Sequence, residues 1–310
     1  MVIDTLIIGL GNVGMGYDYY SRSKQIKSHS KAITSNHYFK LTGGADLDIL
    51  KLNKFKKKFK VSTYLNYKKA LNFLKPKLVV VATNIESHYE VLNSILKEKS
   101  VKYILCEKPI TDSLNKTKKI IKKIHKSKKI LFVNYIRECD KVIKNIFKKK
   151  SEIGDISNSL IQVKYYDSLY NNCSHFIIFF LKLFGHPIKI ENIKLIRKNN
   201  KRINFSIDFN LIFKKNNVVS FNAINKKKDK IPYEIYFKLR KKKIKFSYGS
   251  KKIIIKNLNK KKIINTQMSL AQKNVLDFIR DYIEKKKHFP VKVNDALIVE
   301  KILDKIINKI

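Results

Sequence analysis

Tryptophan is absent from these 310 residues, and glycine (9), proline (5) and cysteine (3) are scarce. The cysteines, Cys106, Cys139 and Cys173, are odd in number, far apart and free of any Cys-x-x-Cys pair. That pattern excludes a disulfide framework and a zinc knuckle and suits a reducing, cytoplasmic compartment. Long apolar runs are also missing. The longest candidate, Phe176 to Leu181, falls far short of the roughly 18 to 20 residues a membrane span needs. The opening Met1-Val2-Ile3-Asp4 has no basic stretch, so a signal peptide is not expected. Acidic residues are few: 24 Asp and Glu stand against 68 Lys and Arg, a formal net charge of +44. Such a charge invites a nucleic-acid reading. Arginine, whose bidentate fork reads phosphates and bases, occurs only at positions 22, 137, 197, 202, 240 and 280. Lysine supplies the rest and is spread along the chain with abundant Ile and Asn, the mark of an AT-rich genome filling solvated positions. No specific nucleic-acid function is therefore expected, although the charge favours an anionic small molecule such as a nucleotide-linked sugar.

The remaining composition supports a folded protein. Hydrophobic residues make up 44% of the chain, enough to bury a core, and the length suits two domains of roughly 150 residues each. Apolar runs at 3–8, 39–45, 78–82, 103–106 and 130–133 read as buried strands. Between them lie helical patterns near 29–36, 48–59, 67–74, 88–97 and 114–125. This alternation predicts βαβ units around a doubly wound parallel sheet over 1–135. The second part, 136–310, changes character. After a helical link at 140–149, extended runs near 160–166, 188–196, 204–213, 218–224, 233–239, 243–247 and 252–255 follow one another, interrupted by one helix at 175–184. They predict an α+β domain with a large, mostly antiparallel open sheet, finished by helices at 269–286 and 294–309.

Gly9-Leu10-Gly11-Asn12-Val13-Gly14 is a G-x-G-x-x-G directly after the first strand. There Gly9 permits a sharp turn, Gly11 a close approach of backbone to a pyrophosphate, and Gly14 close packing, with helix-start amides facing the phosphates. Asp46, ending the second strand, is suited to a ribose diol and predicts NAD rather than NADP, a preference that the nearby Lys51 and Lys54 weaken. Gly14 and Asp46 are farther apart than the usual ~20 residues. The surplus lies in Met15 to Lys27, with Asp18, Tyr19, Tyr20 and Arg22, and reads either as a loop over cofactor or substrate or as a surface insertion.

Further motifs follow in order. Ala82-Thr83-Asn84 with His88, Glu107-Lys108-Pro109 after a strand, Asn134 to Arg137, Ser174-His175 with Leu183-Phe184-Gly185, and Pro290-Val291-Lys292-Val293 with Ala296-Leu297 succeed the glycine loop. In these features the chain resembles the Gfo/Idh/MocA oxidoreductases (glucose–fructose oxidoreductase, inositol dehydrogenase and relatives) over nearly its whole length. The resemblance implies that the glycine loop, Asp46, Ala82, Thr83, Asn84, His88, Glu107 and Lys108 serve the cofactor. It implies that Lys108 hydrogen-bonds the reacting hydroxyl, beside a cis peptide before Pro109, and that His175 is the general acid/base. Asn171, Arg137 and Tyr166 are the expected substrate contacts, with Tyr135 or Tyr166 assisting proton handling. The chain departs from the family at Asn171 and Ile178, where an Asp is usual, and at Cys173, where a glycine is usual. A His–Asp relay is thus missing, although Asn171 still hydrogen-bonds a hydroxyl. Cys173 beside His175 lacks an orienting acid or oxyanion motif and reads as filling the glycine site.

The expected activity is hydride transfer between NAD(H) and a hydroxyl or keto carbon of a sugar, cyclitol or nucleotide-activated sugar bound in a crevice between domains. Two rivals stand beside it: a dinucleotide-binding regulatory protein that has lost catalysis, and a basic nucleic-acid binder on the same scaffold. The remaining histidines are scattered, so no metal site is expected. The resemblance implies a homo-oligomer through the large sheet, and no membrane partner is expected.

Overall fold

The computed structural model describes residues 2–21, 23–148, 156, 160–166, 169–198, 205–224, 234–239, 242–247, 251–257 and 260–310. Arg22, Lys149, Asn204 and Tyr233, which fall within the segments read above, lie outside the described residues. The chain forms two compact units: Met1–Cys139 with Ser269–Leu297, and Asp140–Met268 with Ile298–Ile310. Residues 269–297, read along the sequence as part of the second domain, thus pack with the first unit.

In the first unit, strands β1 (Ile3–Ile8), β2 (Phe39–Ala45), β3 (Ser62–Tyr64), β4 (Leu78–Val81), β5 (Tyr103–Cys106) and β6 (Ile130–Val133) form one sheet in the order β3-β2-β1-β4-β5-β6. Every pairing is parallel. Helices α1 (His29–Thr34), α2 (Ile49–Phe59), α3 (Tyr67–Leu74), α4 (Ile85–Lys97) and α5 (Leu114–Lys126) alternate with the strands. The central strand β4 is apolar throughout because helices cover both faces of such a sheet, and Leu78 to Val81 are wholly inaccessible. Side-chain caps begin several helices: Ser28 accepts from Lys31 N, Asp48 from Leu50 N and Lys51 N, and Asn66 from Lys68 N. Strand order reverses between β1 and β4, and in open sheets of this type the carboxyl ends at that point form the ligand edge.

In the second unit, β7 (Leu160–Tyr165), β8 (Lys189–Lys198), β9 (Phe205–Phe213), β10 (Asn217–Ala223), β11 (Glu234–Lys238), β12 (Lys242–Ser247), β13 (Lys252–Asn257) and β14 (Lys260–Asn265) form a second sheet. Its order is β14-β13-β12-β11-β7-β10-β9-β8, with β7 and β10 parallel and the other pairs antiparallel. The unit also contains α6 (Lys141–Lys148) and α7 (Ser174–Phe184). Alternate residues of β7, β10 and β11 point inward, and five phenylalanines from four strands meet α7 or one another. Phe180 lies 6.1 Å from Phe221 and 6.0 Å from Phe237, Phe184 lies 5.4 Å from Phe213, Phe179 lies 5.8 Å from Phe246, and Phe209 stacks on Phe221 at 4.5 Å. Tyr165 is buried at the end of β7. Its hydroxyl donates to Ile207 O (2.6 Å) and accepts from Ile207 N (2.9 Å). Helices α8 (Ala271–Lys285) and α9 (Val293–Ile307) end the chain. Among the described residues, no helix is long and apolar enough to cross a membrane.

Candidate active site

The glycine loop is built at the C-terminal end of β1. Gly9 has φ +97°, and a Cβ there would lie 2.4 Å from the carbonyl carbon of Ala82, so the turn out of β1 and the passage past β4 both require glycine. A Cβ on Gly14 would lie 2.1 Å from Gly9 O. Gly11 differs: its φ is outside the left-handed range and nothing lies within 4 Å of a Cβ placed there. The protein itself gives no reason for this glycine, whereas an anion drawn against the loop's backbone does. Asp46 closes the loop from β2. Its Oδ2 accepts from Leu10 N (2.7 Å), its Oδ1 accepts from Asp48 N (3.0 Å), and Lys51 Nζ stands 3.7 Å away. Asp46 is therefore a brace for the loop, partly neutralised by Lys51. Asn12 is exposed and Val13 half-buried. These residues fit a dinucleotide: Gly9 to Gly14 would hold its pyrophosphate and Asp46 its ribose.

The loop does not run on into a continuous helix. Met15 N and Gly16 N bond Gly11 O at 2.8 and 3.0 Å, Tyr17 N bonds Asn12 O at 2.8 Å, and the chain then leaves. It returns at α1, where His29 N donates to Val13 O (2.9 Å) and Ser30 N to Gly14 O (3.0 Å). An unbroken α-helix would satisfy those two carbonyls with residues 17 and 18. The surplus length before Asp46 is thus an excursion spliced into the first helix. Its neck is closed by buried Asp18, which accepts from Lys27 N, Ser28 N and the Ser28 hydroxyl. On one side Tyr19 donates to Lys54 O (3.1 Å), with Lys58 Nζ 4.3 Å from the centre of its ring. On the other, Ile26 N donates to Ser269 O (2.8 Å) and Ile26 O accepts from Gln272 N. The excursion is pinned to α2 and to the start of α8 within its own unit.

The ends of β4 and β5 carry the other candidates of this unit. Ala82 N continues the ladder to Ile8 O (2.8 Å). The hydroxyl of Thr83 is buried without a hydrogen-bond partner, and Asn84 is exposed at the start of α4. His88, assigned above to the cofactor, is buried instead as a brace between strand ends. Its Nδ1 lies 3.1 Å from Pro109 O and its Nε2 3.2 Å from Thr83 O. Burial depresses its imidazole below the ordinary value, although both carbonyls and Glu107 favour the charged form. The Lys108–Pro109 peptide is cis.

Glu107 and Lys108 form the charged centre. Glu107 Oε1 receives His29 Nε2 (2.8 Å) and Asn134 Nδ2 (2.5 Å). Burial alone would raise this carboxyl, but hydrogen bonds from His29 and Asn134 with the charges of His29 and Lys108 outweigh it and hold it below the usual range. Lys108 is half-buried. Burial, helped by the buried guanidinium of Arg137, lowers its ammonium to about 8 against the support of Glu107. A lysine titrating there can hold or release a proton near neutral pH. Among the described residues, no group of three or more His, Cys, Asp or Glu side chains is placed to hold a metal ion.

In the second unit a single π-turn, Leu169–Cys173, leads into α7. It exposes Asn171 and carries His175 into a buried position at the first turn of α7. Tyr166 is half-buried, and its carbonyl accepts from Asn172 Nδ2 (3.1 Å). Burial holds the Cys173 thiol well above its usual range, so it stays protonated and unreactive, and Ile178 is buried in the core. His29, set aside above among the scattered histidines, is the residue that sequence reasoning missed. Its signal was present in register: once the surplus is removed, it falls one turn after the glycine loop.

Residues 3–135 match the model of an oxidoreductase family described as an NAD-binding Rossmann fold, Gfo/Idh/MocA. No curated protein matches the chain in sequence. Among solved structures, a dehydrogenase (MviM) from Clostridium difficile is 15% identical, with TM-score 0.79 and 99% of each chain covered. An oxidoreductase from Agrobacterium radiobacter, in complex with NAD+, L-tartaric acid and magnesium, is 13% identical, with TM-score 0.76 and coverage of 98% of this chain and 95% of that one. UDP-N-acetylglucosamine 3-dehydrogenase GnnA from Acidithiobacillus ferrooxidans is 11% identical, with TM-score 0.75 and coverage of 99% and 97%. At these identities the likeness is one of fold. The family likeness thus covers residues 3–135, which match the NAD-binding Rossmann domain of the Gfo/Idh/MocA oxidoreductases.

Proposed function

We propose that the protein transfers hydride between NAD(H) and a hydroxyl or keto carbon of a sugar, cyclitol or nucleotide-activated sugar. The observation that carries this reading is Lys108. It stands at the end of β5, next but one in the sheet to the β1 that bears the glycine loop, with its ammonium lowered to about 8. The dinucleotide, when bound, supplies the hydride donor or acceptor. Lys108 stabilises the developing alkoxide charge and passes the hydroxyl proton on. His175 is the proposed acid/base of the second unit, by resemblance to the family's Ser-His segment, with Asn171, Arg137 and Tyr166 as hydroxyl contacts. The net charge of +44 favours an anionic substrate, and a nucleotide sugar dehydrogenase is among the proteins of like fold. The proposed enzyme is cytoplasmic and a homo-oligomer, with neither membrane nor specific nucleic acid as partner.

Fluorescence titration with NADH and NADPH, beside Lys108→Ala, followed by a nucleotide-sugar panel read at the nicotinamide absorbance band, tests the proposal. Binding of NADH with Lys108-dependent turnover supports it. Failure to bind either nucleotide overturns it. The exposed Asn171 and the buried Ile178, where carboxylates are usual in the family, favour a second reading: a dinucleotide-binding regulator without turnover. Binding without turnover on any sugar selects that reading.

A further inference from the structure

We propose that His29 is a positioning residue for the Glu107–Lys108 pair, holding the Glu107 carboxylate beside Lys108 and tying both to the glycine loop. The inference rests on Lys108 being the proton-handling residue. Its basis is the splice in the first helix. The chain comes back from its excursion with His29 N on Val13 O and Ser30 N on Gly14 O, so the register of α1 is set by the glycine loop itself. In that register the imidazole is fully buried and places Nε2 2.8 Å from Glu107 Oε1. The same oxygen accepts from Asn134 Nδ2, which also donates to Gln272 Oε1 (3.1 Å). Glu107 is thus held from α1 and from the end of β6, with α8 behind Asn134.

The chemistry follows from charge. A buried carboxyl favours its neutral form unless donors are aimed at it. His29 and Asn134 are those donors for Glu107. The Glu107 charge in turn supports the Lys108 ammonium against burial and Arg137. The titratable groups acting on the Glu107–Lys108 pair are His29 from α1, His88 from α4 and Arg137 from the turn after β6. Without His29 the Glu107 carboxylate loses one of the two donors that hold its orientation, and a carboxylate free to turn away supports the Lys108 ammonium less.

The test uses the cofactor-free, full-length protein, so it stands whether or not a substrate is ever found. Competitive amine labelling across pH, read by peptide-resolved mass spectrometry, follows the Lys108 midpoint in wild type, His29→Leu, His29→Gln and Glu107→Gln. His29→Leu is expected to lower the midpoint by about one pH unit, tenfold in proton affinity. His29→Gln, whose amide nitrogen reaches the place of Nε2, is expected to restore it. Adding His29→Leu to Glu107→Gln is expected to shift it no further, because both act through one carboxylate. If His29→Leu does not fold, His29→Asn, too short to reach Oε1, takes its place with the same outcomes. A Lys108 midpoint that stays at the wild-type value while thermal stability falls would show that His29 only packs, and so would additive shifts in the double variant. NADH affinity, measured in parallel, reports on the proposed function and leaves this readout independent.

Discussion

The three glycines of the loop make a prediction that separates folding from binding. Gly11→Ala adds a methyl group where the protein has no atom within 4 Å, at a backbone conformation open to any residue. Folding should not suffer; restricting the unfolded chain stabilises by about 0.4 to 1 kcal/mol. Melting without cofactor should hold or rise by roughly 1 to 4 °C. Gly14→Ala drives a methyl to 2.1 Å from Gly9 O, a backbone atom that cannot swing aside. Overpacking of this kind costs at least ~1 to 3 kcal/mol and should lower melting by several degrees. Gly9→Ala combines a left-handed φ with a contact of 2.4 Å and should be worse. NADH affinity should rank differently. In Gly11→Ala the methyl keeps the pyrophosphate from the amides, and hydrogen bonds to a charged group are worth about 1.5 to 3 kcal/mol. That is a loss of roughly 10- to 100-fold in Kd. Thermal unfolding of the cofactor-free variants and NADH fluorescence titration provide both numbers. A Gly11→Ala protein that melts like Gly14→Ala, or that binds NADH as wild type does, would refute the assignment of Gly11 to the ligand.

Other expectations rest on single features. The ammonium of Lys108, lowered to about 8 from an ordinary 10.5, binds its proton less well in the folded state than in the unfolded one. The folded protein therefore gains stability as pH rises between those values and carries the penalty in full below about 8. Lys108→Met should accordingly melt above wild type at pH 7, with the gap closing toward pH 10.5; a gap independent of pH would contradict this. Tyr165→Phe leaves the N–H and C=O of Ile207 without their shared hydroxyl and should cost about 1 to 3 kcal/mol in urea unfolding. On β12, Lys243 lies directly across from Lys238 of β11 and Lys256 of β13. Lys243→Glu turns two like-charge pairs into opposite ones and should raise stability by roughly 0.4 to 2 kcal/mol at low salt, less at high salt, as calorimetry would show.

Much of the architecture could be read from pattern. Apolar runs at β1, β4, β5 and β6 alternate with helical periodicity, which only a covered parallel sheet explains. Two strands escaped. β3 has three residues, Ser62–Tyr64, too few for a period. β14, Lys-Lys-Lys-Ile-Ile-Asn, is an edge strand largely exposed on both faces, so no alternation marks it and it reads as a lysine cluster. Edge lysines of this kind also discourage pairing with other chains. α4 begins at Ile85, before the His88 where its amphipathic pattern becomes visible. At the candidate site, Gly9 to Gly14, Asp46, Glu107 and Lys108 were legible because each ends a strand in a recognisable motif. His29 and Asn134 were not legible as partners of Glu107, since their meeting depends on helix and strand ends that are distant in sequence.

What the chain determines by itself is local and periodic: the turn at Gly9, the caps of Ser28, Asp48 and Asn66, and the apolar faces that must be buried. These follow from backbone sterics and hydrophobic spacing over a few residues, and they suffice for fold class and cofactor type. Tertiary structure alone decided where the surplus residues go, returning the chain at His29 in register with Val13 and Gly14. It also made His88 a buried brace and set the ammonium of Lys108 near neutrality through burial, Glu107 and Arg137. Burial and charge pairing act through space, between groups that no spacing along the sequence brings together.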